Sequence, residues 1–297
     1  MFSKKQRVID ISNERVQDLK DWFSSYVRTF KHDAKGLQNI ELKEEHTKRV
    51  CREILSIGEQ LGLTDNEMRL AEITALFHDI GRFEQYARYK TFVDRKSVNH
   101  AELGVKILKR YGVLNELEES TKSLIFRTIQ YHNRAVLPQE ETEICLFFAK
   151  LLRDADKIDI WRVVTDYYNL KDGQRNGALE LDLQDTPGFS EEVYQDLINK
   201  RIVDINHVKK LNDFKLLQIG WIFDINFKPT LHAVCSRRYL EMIRDVLPEP
   251  EKIGILFSII NKYVEERLKT SNDWGRSFAD NETHESCDAY RNKGKNI

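Results

Sequence analysis

Imidazoles and carboxylates recur at helix-compatible spacing between residues 46 and 156. His46 stands four residues before Val50, so it shares the apolar stripe of its helix and points inward. His78 and Asp79 close the next helical pattern, in Phe77-His78-Asp79-Ile80-Gly81. His100 opens the following helix, and His132 closes the one after it. Asp156 lies one turn beyond Leu152 and one turn before Ile160, again on the buried face. An imidazole or carboxylate buried without a partner is costly, and a divalent cation removes that cost directly. Mixed nitrogen and oxygen donors suit manganese, iron, nickel or zinc, whereas magnesium prefers an all-oxygen shell. His46, His78, Asp79, His100, His132 and Asp156 are therefore the expected metal ligands. Two metals are expected, with Asp79 placed to bridge them.

Four cationic residues lie beside these ligands: Arg82, Arg134, Arg153 and Lys157. Together they would make a cradle for phosphate; taken singly, each could equally be a surface ion pair. His207, His232 and His284 have no metal-like spacing and are expected to be structural or solvated. His32-Asp33 has no upstream ligand histidine and reads as a solvated helix end. The aromatic run around Trp221 and Phe227 reads as core, with a second reading in which it shapes the mouth of the metal pocket.

The scaffold that must position these groups is all-α. Val16, Leu19, Phe23, Val27 and Phe30 step by three and four after a cap at Ser12. Val50, Ile54, Ile57 and Leu61 repeat the pattern from about Glu41. A third helix starts at Thr64 or Asp65, with Gly81 placed to stop it. A fourth runs from near Asn99 to Gly112, a fifth from about Glu116 to Tyr131, and a sixth from about Glu143 to Tyr168. Residues 171–188 carry three glycines and Pro187. Their alternating Leu179, Leu181 and Leu183 could form one short strand, but a lone strand makes no sheet, so loop or lid is the better reading. Helical spacing resumes at Ser190, with breaks at Pro229 and at Pro248 and Pro250, and ends near Leu268.

These spans predict a single all-helical domain over 1–275, with a metal-binding core at about 41–168 and a helical extension at about 190–270. A disordered tail is expected at 276–297. The 297 residues carry 47 Lys plus Arg against 48 Asp plus Glu. That balance gives no global field for a nucleic-acid polymer, but leaves room for a small anionic substrate in a local cationic pocket. Cys51, Cys145, Cys235 and Cys287 form no CxxC pair and read as free thiols. With no apolar leader and no membrane-spanning stretch, a cytoplasmic location is expected.

The stretch His46-Thr47-Lys48-Arg49-Val50, followed by Ala75-Leu76-Phe77-His78-Asp79-Ile80-Gly81, resembles the HD superfamily of metal-dependent phosphohydrolases. Arg153-Asp154-Ala155-Asp156-Lys157-Ile158-Asp159 is similar to that family's last ligand segment, and the resemblance covers roughly Glu41 to Val163. His100 and His132 are similar to the extra ligands of its binuclear subfamilies, in which the aspartate of the doublet bridges two metals. No GYP segment follows His132, and no His-Asp-x-x-Glu-Asp run follows the doublet. Cyclic-di-GMP and guanosine-tetraphosphate hydrolysis are thereby disfavoured. Where many relatives carry lysine after the doublet's glycine, this chain has Arg82, also a good phosphate fork. The resemblance implies hydrolysis of a phosphate ester of a nucleotide or similar small molecule by metal-activated water. Asp79 and Arg82 are the expected catalytic residues, and Arg82, Arg134, Arg153 and Lys157 the expected substrate contacts. Two other readings use the same ligands: an HD-type di-iron oxygenase, and a metal-bound nucleotide-sensing module.

Overall fold

The computed structural model describes residues 9–32, 36–169 and 176–270. The expected 276–297 tail, residues 1–8, Asp33, Cys287 and His284 lie outside the described residues, as does the start of the 171–188 segment. The helices are α1 (Asn13–Arg28), α2 (Leu37–Leu61), α3 (Asp65–Phe77), α4 (Ile80–Tyr89), α5 (His100–Arg110), α6 (Glu119–Tyr131) and α7 (Glu143–Tyr168). They continue as α8 (Gly177–Glu180), α9 (Glu191–Ile198), α10 (Leu211–Gly220), α11 (Lys228–Ser236), α12 (Tyr239–Arg244) and α13 (Pro250–Lys269). Among the described residues there is no strand, only an isolated parallel bridge between Gln184 and Lys210. None of the described helices is long and apolar enough to cross a membrane.

Local signals fix most helix ends. The Ser12 hydroxyl accepts from the Arg15 N–H at the start of α1. Thr64 and Glu67 form a reciprocal capping box on α3. The side chains of Asn99 and Thr142 cap α5 and α7 in the same sense. Each such cap satisfies a donor that the first helical turn leaves orphaned. Gly62 ends α2 in the left-handed region, at φ 73°.

One sequence expectation needs correction. Gly81 does not stop a helix; it lies inside α4, an element that the apolar periodicity did not reveal. Its lack of a side chain is needed for packing instead. A Cβ there would run into the His100 carbonyl and the Gly104 backbone nitrogen, so Gly81 lets α4 and α5 approach backbone to backbone. The breaks expected at Pro229 and at Pro248 and Pro250 fall between helices, with Pro229 and Pro250 in the first turns of α11 and α13, where a missing N–H costs nothing. The leucine alternation at 179–183 forms no strand, as expected: α8 ends at Glu180, and Leu181 and Asp182 turn the chain at φ 53° and 57°.

The buried apolar residues form one continuous cluster running from Ile11 on the N-terminal side to Val264 on α13. Long α7 is its axis, packed against α2, α3 and α6 on one side and α11 and α12 on the other. Trp161, fully buried on α7, ties α10 in place by donating from Nε1 to the Gln218 carbonyl at 2.9 Å.

Candidate metal centre

The six expected ligands converge at the meeting point of α2, α3–α4, α5, α6 and α7. The contact of α4 with α5 across Gly81 brings His100, at the first turn of α5, beside Asp79, which caps α4. His46 Nε2 lies 3.1 Å from Asp156 Oδ1 and 3.3 Å from His78 Nε2. His100 Nε2 lies 3.0 Å from His132 Nε2. Asp79 stands between these two sets. Its Oδ2 faces His46 at 3.5 Å and His78 at 3.7 Å, while its Oδ1 faces His100 at 3.3 Å and His132 at 3.9 Å.

The histidine tautomers follow from their partners. Nδ1 of His78 sits 2.7 Å from the Ala75 carbonyl, and Nδ1 of His132 is 2.7 Å from the Ile129 carbonyl. Nδ1 of His46 is 2.7 Å from Asp159 Oδ2, and Nδ1 of His100 is 2.7 Å from Asp94 Oδ2. Since each of these partners only accepts, Nδ1 carries the proton and Nε2 presents a lone pair to the centre. Two such lone pairs 3.0–3.3 Å apart repel one another unless a cation lies between them. That spacing is also the edge of a metal polyhedron: nitrogens about 2.1 Å from one ion sit roughly 3.0–3.4 Å apart. His46, His78 and Asp156 form one group able to hold a metal ion, and Asp79, His100 and His132 form a second. The donor set fits a divalent metal.

The electrostatics agree. Burial pulls the pKa of His78 and His100 down and holds that of His132 at about 3, so these rings are neutral, as ligands must be. Burial also lowers His46, but hydrogen bonds to Asp156 and Asp159 outweigh it and leave this imidazole raised. Burial alone would raise the Asp79 carboxyl. Lys43, His78, Arg82 and His100 overcome it and hold the carboxyl well below the usual range.

Several neighbours of the centre were not singled out from sequence. Lys43, one turn before His46, donates to Asp79 Oδ2 at 2.7 Å. Asp159, one turn after Asp156, orients His46 and is held in turn by Arg49. Asp94 orients His100 from the α4–α5 connection, where no periodicity marks it. Helical spacing from the ligands could have flagged Lys43 and Asp159; nothing local could have flagged Asp94. Outer partners of this kind are typically worth about 10–100-fold in metal affinity or activity. Replacing Asp94 with Asn is expected to lower metal affinity by about that factor, read by metal titration, and an unchanged affinity would make the Asp94 contact incidental.

The four expected cations line one cleft of about 500 Å³ together with His132 and Asp156. Arg82 is the most constrained. Its Nη1 donates to Gln85, to the Phe92 carbonyl and to Asp94, and its Nε lies 3.4 Å from Asp79 Oδ1. Arg153 and Lys157 share one carboxylate, Asp224, at 2.5 and 2.6 Å. Arg134 is exposed, its guanidinium 4.8 Å from the centre of the Tyr131 ring. Trp221 lines the cleft, so part of the aromatic run does shape the pocket, while Phe227 is core.

Residues 44–161 match the HD domain family, a stretch containing all six ligands, so the helical bundle around them is an HD domain. Over 75 residues the chain is 39% identical to the CRISPR system single-strand-specific deoxyribonuclease Cas10/Csm1 (subtype III-A) of Methanocaldococcus jannaschii. That similarity takes in 24% of this chain and 9% of the archaeal protein's length. No solved structure matches the chain significantly.

Proposed function

We propose that this protein is a metal-dependent hydrolase of phosphate esters, acting on a nucleotide or a similarly small phosphorylated molecule. The observation that carries this reading is Asp79, whose two oxygens face two separate ligand sets, with His132 of one set and Asp156 of the other lining a cationic cleft. Bound there, a pair of divalent metals, drawn from manganese, iron, nickel or zinc, would supply Lewis acidity and an activated water. The chain's own groups do the rest. Asp79 fixes the separation of the two sets, while Asp94 orients the ring of His100 and Asp159 that of His46. Arg153 and Lys157 present two positive charges against the single carboxylate of Asp224, leaving a net attraction for a phosphoryl group. No serine or cysteine nucleophile is needed.

The archaeal relative is named as a deoxyribonuclease, which supports phosphoester cleavage as the reaction class. A small substrate rather than a polymer is favoured by the near-neutral chain, with a formal charge of −1. The test is an anaerobic screen of protein loaded separately with each metal against mononucleotides, small phosphodiesters and single-stranded DNA. Release of phosphate or a nucleoside phosphate from the small esters is expected. Cleavage of DNA alone would overturn the small-substrate assignment. Oxygen consumption by the iron form, without anaerobic hydrolysis, would replace the hydrolase by an HD-type oxygenase.

A further inference from the structure

Beside the cationic cleft lies a second compartment of about 250 Å³, walled mainly by Phe92, Ile160, Val163, Leu181, Phe214 and Trp221. It shares Arg82, Phe92, Ile160, Leu181 and Trp221 with the cleft, so the two spaces adjoin. His46 and Lys43 stand at its metal end. Sites that enclose a whole drug-sized ligand run to roughly 300–1,000 Å³, so this one takes a substituent rather than an entire substrate.

Besides His46 and the two cations Lys43 and Arg82, the lining holds one further polar side chain. Gln218, on α10, is fully buried. Its Oε1 accepts from the Tyr168 hydroxyl at 3.1 Å, and its backbone carbonyl accepts from Trp161. Its amide nitrogen Nε2 is buried and has no hydrogen-bond partner among the described residues. A buried donor without an acceptor is unfavourable, and native structures rarely keep one without a use. Water is a poor answer, because it needs two or more polar partners and these walls are mostly hydrocarbon. A ligand carrying an acceptor on its edge is a better one.

We propose that this compartment binds the organic part of the substrate, an uncharged planar heterocycle of nucleobase size, and that Gln218 Nε2 donates to its ring carbonyl or ring nitrogen. Three aromatic side chains in the lining suit a flat ring. The lining holds no carboxylate, and its two cations, Lys43 and Arg82, are already engaged by Asp79 and Asp94, so the ring is neutral. An alkyl group would fill the space but leave Gln218 unpaired. A sugar would strand its hydroxyls against hydrocarbon. The assignment rests on the phosphohydrolase reading only for what the ring is attached to.

The test is a calorimetric titration of the full chain with adenosine, guanosine, cytidine, uridine and thymidine, which carry no phosphate. Benzyl alcohol serves as a flat ring without an edge acceptor. At least one nucleoside should bind ten-fold or more tightly than benzyl alcohol. Gln218→Met should erase that advantage, since a site built around a donor discriminates through it. Leu179→Trp, at the compartment wall on α8, should weaken nucleoside and benzyl alcohol alike. Failure of all five nucleosides to bind would overturn the proposal. So would a correctly folded Gln218→Met protein that binds them as the parent does. Should Gln218→Met not fold, undiminished nucleoside binding by Leu179→Trp would overturn it. Nucleoside binding without phosphate-ester turnover would instead leave the compartment standing and remove the hydrolase.

Discussion

Replacing Asp79 with alanine is expected to lower kcat/KM for the hydrolysed ester by at least about 10³-fold, a loss of about 4 kcal/mol of transition-state stabilisation. The size follows from position. Asp79 reaches both ligand sets, through Oδ2 toward His46 and His78 and through Oδ1 toward His100 and His132. Its removal also leaves the Lys43 ammonium without the carboxylate it pairs with, so an unneutralised positive charge would confront any incoming metal. Metal affinity should fall together with turnover. Initial rates at saturating metal provide the check, and a variant keeping more than a tenth of the parent's kcat/KM would show that Asp79 is not central.

The second large effect concerns stability rather than catalysis. Asp154 sits two residues before Asp156 on α7 but is aimed away from the metal centre. Wholly buried, it accepts hydrogen bonds from the Asn226 and Phe227 N–H groups and from the Asn226 side-chain amide, all at 2.9–3.1 Å. These contacts fasten the entry of α11 to the HD core. Asp154→Ala leaves two backbone donors unpaired in the interior, a cost on the order of 3 kcal/mol. For a domain of this size that corresponds to a fall in Tm of roughly 5–10 °C. Thermal unfolding followed by circular dichroism measures it. A Tm within about 2 °C of the parent would mean that the α7–α11 junction repacks without this carboxylate.

The all-α scaffold was legible from apolar stripes at helical spacing and from local caps at Ser12, Thr64, Asn99 and Thr142. The start of α7 is marked by the Thr142 cap, whereas burial on more than one face weakens its amphipathic periodicity. Gly81 misled because glycine serves two purposes, helix termination and close helix packing, and only the neighbouring helix reveals which one applies. The convergence of His46, His78, Asp79, His100, His132 and Asp156 could be anticipated because five of these ligands are buried and the sixth, Asp156, is half-buried between Leu152 and Ile160 on α7. What surrounds them was less visible. Asp94 acts from a connection without periodicity, and Asp224 meets Arg153 and Lys157 across about 70 residues of chain, with |i−j| of 71 and 67. Long-range pairings of that kind leave no trace in local spacing. The orphaned amide of Gln218 is hidden for the same reason, since it becomes an orphan only once α7 and α10 are packed.

The central claim is that one carboxylate separates two metal positions, and counting metals tests it most directly. Protein saturated with manganese should contain two ions per chain, and anomalous diffraction should place one beside His46, His78 and Asp156 and the other beside His100 and His132, with Asp79 between them. One ion per chain at saturation, with His100 and His132 turned away from it, would contradict the account.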